Sequence, residues 1–225
     1  MPHTLAEIDA LFATVRAEWN ESERIVKSAE QVCGDAVIPS IKEFRYAGRR
    51  LIDAFHALSA EGDVGKASAF VQDAIFNCHC ARHDAIDVAT GIMASDMRAA
   101  VSKIGYKNIL AAFPKFAEFR QSLNEVRAKI RVSREARTDR DAIYVAVHEA
   151  NFPSLLSMYE EYQAAEDVMR ALARRDRWEI LFYRVTTVVL ILATIAAVLV
   201  AAFKKSDCPP YVTQPPASHV TTQAR

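Results

Sequence analysis

Up to about residue 180, apolar positions recur every three or four residues, in stretches long enough for helices. Leu5, Ile8, Leu11, Phe12, Val15 and Trp19 form one stripe, and Thr4 with Glu7 makes a capping box ahead of it. A helix is therefore predicted over residues 4–32, ended by Gly34-Asp35. A second is predicted over 38–60, with Pro39 in its first turn and Ile41, Phe44, Gly48, Leu51, Phe55 and Leu58 as its core face. The string EGDVG at 61–65 reads as a turn. A third, long helix follows over 66–103, with the stripe Phe70, Val71, Ala74, Ile75, Cys78, Ala85 and Ala89. Gly91 is the place where it would bend or split, and Gly105 ends it. Further helices are predicted from Pro114 to about 136 and over 139–150, the latter with Thr138 as N-cap. Asn151-Phe152-Pro153 reads as a break. From Pro153 no breaker occurs before Phe203, which predicts one helix of about 50 residues.

The end of that helix changes the picture. Residues 185–203, VTTVVLILATIAAVLVAAF, carry no charge, no glycine and no proline. At 1.5 Å per residue they span about 28 Å, close to the thickness of a bilayer's hydrocarbon core. Thr186, Thr187 and Thr194 are expected to bond back to their own helix. Trp178 and Tyr183 stand where an interfacial aromatic belt would lie. Arg170, Arg174, Arg175, Arg177 and Arg184 precede the segment, against Lys204 and Lys205 after it, which favours a cytoplasmic N-terminal domain. Residues 204–225, rich in proline and threonine, read as a disordered tail outside, where Cys208 would meet an oxidising space. Ala193, Ala197 and Ala201 recur on one face, a spacing that lets membrane helices approach each other.

Composition agrees with helix throughout, since the chain has only 6 Gly and 8 Pro in 225 residues. The basic and acidic residues balance at 28 each, so bulk charge does not mark a nucleic-acid binder. Cys33, Cys78 and Cys80 sit inside helical patterns, as reduced thiols of a cytosolic domain do. The start, MPHTLAEIDALF, lacks the basic and apolar regions of a cleaved signal peptide. Arginine-rich, alanine-rich usage is that of a GC-rich bacterial genome.

Four clusters carry candidate chemistry. On the second helix Lys42, Arg45, Arg49, Asp53 and His56 share a face, as a solvated row with an Arg49–Asp53 pair or as a surface that handles phosphates. His79, His83 and Asp87 lie at i, i+4 and i+8, but without an HExxH string or a cysteine pair they read as a polar face, not a metal site. Arg82 falls on an apolar stripe and must find a partner or snorkel out; it reads as one half of a buried ion pair, with Asp53 on the second helix a candidate partner, or else as a site residue facing His56. Arg120, Arg127, Arg131 and Arg134 share one face of their helix, joined by Lys129, Arg137 and Arg140 and diluted by Glu125, Glu135 and Asp139, as a solvated face or as a patch for RNA, anionic lipid or an acidic partner. There is no phosphate-cradling glycine loop, GxSxG or CxxC, so an ordinary hydrolase, kinase or dinucleotide enzyme is not expected and no cofactor is implied.

The string EFRYAGRRLIDAFH, followed one helix later by NCHCARHDAID, resembles the helix pair of HEPN-type domains over about residues 40–90. These are small helical bundles of prokaryotic defence systems, many of them dimeric, metal-independent ribonucleases marked by an Arg followed after four to six residues by a His. The resemblance implies that Arg49 or Arg50 stabilises phosphate charge and that His56 moves a proton or binds. Other HEPN-like domains are inactive, and some act as membrane-associated effectors.

The expected architecture is an all-α helical bundle (1–184), a long C-terminal helix continuing into a single transmembrane segment (185–203), and a tail (204–225). The leading expectation for function is a single-pass interaction or effector protein of the inner, cytoplasmic membrane. It would self-associate or bind a protein partner, with RNA not favoured. The rival expectations are a membrane-tethered HEPN-like ribonuclease and a structural anchor for a partner.

Overall fold

The computed structural model describes residues 5–135 and 140–206, which are helical almost throughout, with no strand among them. The helices are α1 (Leu5–Cys33), α2 (Ile38–His56), α3 (Val64–Ile104), α4 (Tyr106–Ala112), α5 (Phe116–Glu135), α6 (Arg140–Ala146), α7 (Phe152–Ala164) and α8 (Glu166–Ser206). Thr4, Arg137, Thr138 and residues 207–225, Cys208 among them, lie outside the described residues, while residues 204–206, expected in the tail, belong to α8. The chain divides into two compact units, Met1–Ala173 and Arg174–Arg225.

In the first unit α3 is the spine. Its N-terminal half packs between α1 and α2 around Ile8, Val15, Ala54, Val71, Ala74 and Cys78. Its C-terminal half packs against α4, α5 and α7 around a larger core that includes Ile86, Met93, Phe116, Phe119, Phe152 and Leu155. α1 runs parallel to α3 and α2 antiparallel to it. The registers are pinned by Ser22, whose hydroxyl donates to the Cys78 carbonyl at 2.8 Å, and Ser40, whose hydroxyl donates to the Ala81 carbonyl at 2.8 Å. Both serines are buried, and a donor buried there without an acceptor would be costly.

The α2–α3 contact corrects the predicted face of α2. The buried line is Ser40, Ala47, Ala54 and, just beyond, Ala57. Ile41 is 39% exposed and Phe55 is 69% exposed. Small residues at seven-residue spacing let the two backbones approach, and they face Ala67, Ala74 and Ala81 on α3. The larger side chains flank that seam: Phe44, Leu51 and Leu58 of the predicted face are half-buried and pack against the core as expected, whereas Ile41 and Phe55 turn outward.

Three boundaries also differ from the pattern-based expectation. α4 fills the stretch between Gly105 and Pro114, which shows too short a period to be read. Asn151-Phe152-Pro153 does not break the chain, since α6 passes into α7 through a π-helical turn at Val147–Asn151. A widened turn accommodates Pro153, whose ring would otherwise crowd the carbonyl one turn back. The helix expected from Pro153 onward is instead interrupted at Ala165 (φ −83, ψ −5), which separates α7 from α8. Ala165 N–H bonds back to the Glu161 and Tyr162 carbonyls, and Tyr162 and Met169 are buried on either side of the interruption. Alanine is the best helix former, so local preference does not mark this point. Gly91 does not split α3, which is continuous through it.

α8 has the character expected of its apolar stretch. It is long and apolar enough to cross a membrane, and the apolar window has no buried residue. Thr186, Thr187 and Thr194 donate to the carbonyls of Phe182, Tyr183 and Leu190 at 2.8, 2.8 and 2.9 Å, so no side-chain hydroxyl in the stretch needs an outside partner. Trp178, Phe182 and Tyr183 are exposed ahead of it.

Candidate functional site

α3 and α5 lie antiparallel, and between them runs a groove of two adjoining lobes of about 520 and 360 Å³. α5 buries Phe116, Phe119, Leu123, Val126 and Ile130 at helical spacing, and this turns the interleaved Arg120, Arg127, Arg131 and Arg134 toward one side. All four line the groove. α3 adds Arg98 from the opposite wall. Asn124 and Arg127 belong to both lobes, which makes the lining continuous. Its extent on α3, from Asp87 to Ser102, corresponds to about 22 Å at 1.5 Å per residue.

Charge is unevenly distributed along it. Arg134 closes one end, its Nη2 donating to Asp87 at 2.7 Å. The other four arginines, Arg98, Arg120, Arg127 and Arg131, are exposed and have no hydrogen bond or ion pair with other described residues. Four guanidinium groups held side by side with one neutralised carboxylate make an anion-attracting surface. Gly91 lies in the floor, and a Cβ built there meets nothing within 4 Å. A glycine in an exposed helix interior costs about 1 kcal/mol relative to alanine, and here its effect is to leave the groove open.

The Asp87 end joins a polar seam inside the bundle. The Tyr144 hydroxyl donates to the second Asp87 oxygen at 2.6 Å, and the Tyr144 ring stacks on His83 at 3.8 Å between centroids. Burial and the hydrogen bond to Asp87 raise the Tyr144 hydroxyl above the usual phenol range. His83 is buried, and burial, reinforced by the charges of Arg140, Arg82 and His79, lowers its imidazole to about 3. His83 is thus held neutral against the tyrosine ring. One turn earlier, Glu18 of α1 lies 3.1 Å from His79 and 3.3 Å from Arg82. Glu21, also on α1, meets Arg24 at 2.7 Å and contacts His148. The Arg24 hydrogen bond is the main reason that its carboxyl is lowered to about 2, with His148 adding to it.

The residues singled out in the sequence therefore separate into three places. Arg120, Arg127, Arg131 and Arg134 converge on the groove. Arg82 is 4% exposed and lies inside the bundle, paired as expected of a buried guanidinium but with Glu18, not Asp53. Asp53 instead pairs with Arg49 at 3.1 Å and Arg50 at 3.5 Å. The α2 row, Arg45, Arg49, Arg50 and His56, lies apart from the groove. Arg50 also reaches Asp73 at 3.4 Å and lies over the Phe70 ring, and His56 lies 3.4 Å from Glu61. Carboxylates thus already engage both arginines and the histidine of the HEPN-like string. His79, His83 and Asp87 are drawn toward different partners, Glu18, Tyr144 and Arg134, and do not converge on one point.

Arg98, Asn124 and Gly91 as groove residues were not read from the sequence. The one signal was Gly91, a lone glycine inside a long helical pattern. No family model, curated protein or solved structure matches this chain.

Proposed function

We propose that this chain is a single-pass membrane protein of the inner membrane. The helical unit serves as a cytoplasmic interaction module, residues 185–203 span the bilayer, and the tail lies outside. One observation carries the reading: the apolar part of α8 exposes Val188, Leu190, Ile191, Leu192, Ile195 and Leu199 on all sides, with none of it buried by the chain. Removing the large apolar side chains of 185–203 from water is worth on the order of 20 kcal/mol. A soluble protein of this stability range would not leave that surface uncovered. The arginines at 170–184 outnumber the lysines after the span and support the cytoplasmic placement of the helical unit. Ala193, Ala197 and Ala201 give the span a flat face that supports self-association.

Two measurements on the full chain, expressed in a bacterium, test this. Alkaline carbonate should leave the wild type in the membrane pellet and release the Leu190→Arg/Ile191→Arg variant, since each arginine at the span centre costs about 3 kcal/mol. A membrane-impermeant maleimide should label Cys208 from the outside of intact cells. Wild-type protein in the soluble fraction would sink the anchor, and Cys208 labelled only after the cytoplasm is opened would reverse the topology.

A further inference from the structure

We infer that the α3–α5 groove is the docking site for an acidic amphipathic helix of a partner protein, an assignment that rests on reading the helical unit as an interaction module. Three features of the groove select this occupant. Arg120, Arg127 and Arg131 stand at i, i+7 and i+11 on α5, so they repeat at helical pitch over about 16 Å. Carboxylates on another helix at the same spacings match them, and Arg98 meets the same helix from the other wall. Between the arginines the lining is mixed: exposed Val101 above the edges of Ala94, Met97 and Leu123, with Ser102, in one lobe, Ala128 and the edge of Ile130, with Thr90, in the other, and Asn124 in both. That pattern accepts apolar anchors at i, i+3, i+4 and i+7 flanked by acidic residues. Gly91 removes the side chain that would otherwise narrow the floor at the Asp87 end.

The same features disfavour the other polyanions. Nucleic acid bound as a single strand stacks its bases on exposed aromatic rings, and the only ring in the groove lining, Phe116, is fully buried. A bilayer surface is flat and meets the ridges of a helical bundle, whereas these arginines line the depression between two helices. One anionic headgroup cannot span charges about 16 Å apart on α5. The pairing of Arg134 with Asp87 leaves the end near the polar seam neutral, so an acidic helix is drawn toward the Arg98, Arg120 and Arg127 end.

The test uses the full chain in nanodiscs of zwitterionic lipid, with fluorescence anisotropy as the readout. The probe is a labelled synthetic helix of 18 residues carrying leucine at i, i+3, i+4 and i+7 and glutamate on the flanks. Its comparators are a permuted peptide of the same composition without the pattern, a single-stranded RNA of 18 nucleotides, and vesicles containing phosphatidylglycerol. The patterned peptide is expected to bind at least tenfold more tightly than the permuted one. Arg127→Glu and Arg131→Glu should each weaken it at least tenfold. Gly91→Trp should do the same by filling the floor without changing charge, with an unchanged melting curve to show that the fold is intact. Arg16→Glu, an exposed arginine on α1 away from the groove, should leave binding unchanged. Equal binding of the permuted peptide, tighter binding or competition by RNA or vesicles, indifference to Gly91→Trp, or no peptide binding would each overturn the assignment. Carbonate extraction of the same variants reports on the membrane anchor separately, so the two readings fail independently.

Discussion

Replacing Glu18 by alanine removes the carboxylate that pairs with Arg82, a residue only 4% exposed. Breaking a buried pair from one side costs about 3–5 kcal/mol, because the remaining charge is stranded away from water. Glu18 itself keeps 29% side-chain exposure, so solvent reaches the vacated space, and the expected loss lies at the lower end, about 3 kcal/mol. For a chain of this size that corresponds to a melting temperature lower by about 6–12 °C. Replacing both groups with apolar residues of similar length, Glu18→Leu with Arg82→Met, strands neither charge and should return the stability to within about 1 kcal/mol of the wild type. Urea unfolding in detergent, followed by the fluorescence of Trp19 in a Trp178→Phe background, measures both variants. Trp19 sits one residue from Glu18 and packs on Phe44 at 4.8 Å between ring centroids, so it reports on this part of the bundle. A loss below about 0.5 kcal/mol for Glu18→Ala would show that Arg82 is hydrated or otherwise paired. A double variant as unstable as the sum of the singles would refute the coupling.

Three further outcomes follow from the packing. His83 is held neutral with its imidazole lowered to about 3, so between that value and about pH 6.5 the unfolded chain binds a proton that the folded chain does not. Stability is complete above pH 6.5 and falls below it, by about 2 kcal/mol at pH 5, and His83→Phe should flatten that slope in pH-dependent urea titrations; an unchanged slope would refute the assignment. Glu21 adds an acid-sensitive contribution only below pH 4.5, so the two windows are separable. On α2, Ala47→Leu enters the close seam with α3 and should destabilise by about 1–3 kcal/mol, whereas Phe55→Ser on the exposed side should change stability by less than about 0.5 kcal/mol; the reverse order in thermal melts would restore the face first read from the sequence. Gly91→Ala should stabilise by about 0.5–1 kcal/mol, since the added Cβ meets nothing and the helix gains a better former; a loss would show that the glycine is needed for more than open space.

The fold class, most helix positions and the apolar character of 185–203 were readable because helical periodicity, caps and an uninterrupted apolar run are local properties. The arginine face of α5 was readable for the same reason: Phe119, Leu123, Val126 and Ile130 tell where its core lies, and Arg120, Arg127, Arg131 and Arg134 follow by rotation. What the arginines face was not readable. Arg98 and Gly91 come from a helix that precedes α5 by a turn and a short helix, and only the antiparallel packing of α3 on α5 makes one groove of them.

Partner choice was decided by tertiary structure throughout. The stripe placed Arg82 inside, but Asp53 and Glu18 were both within reach of a helix pair, and the parallel register of α1 on α3 selected Glu18. Periodicity weights large apolar side chains, so on α2 it finds Phe44, Leu51 and Leu58, which pack on the core, together with Ile41 and Phe55, which are exposed, and passes over Ser40, Ala47 and Ala54, which line the close approach to α3. Pro153 and Ala165 reverse the usual punctuation. A π-turn carries the helix through the proline, and the interruption falls at an alanine, between the buried Tyr162 and Met169. Hydrophobic period records which side of each helix is dry; which helix lies against that side, in what register and at what distance, depends on side-chain volumes and charges brought together from distant parts of the chain.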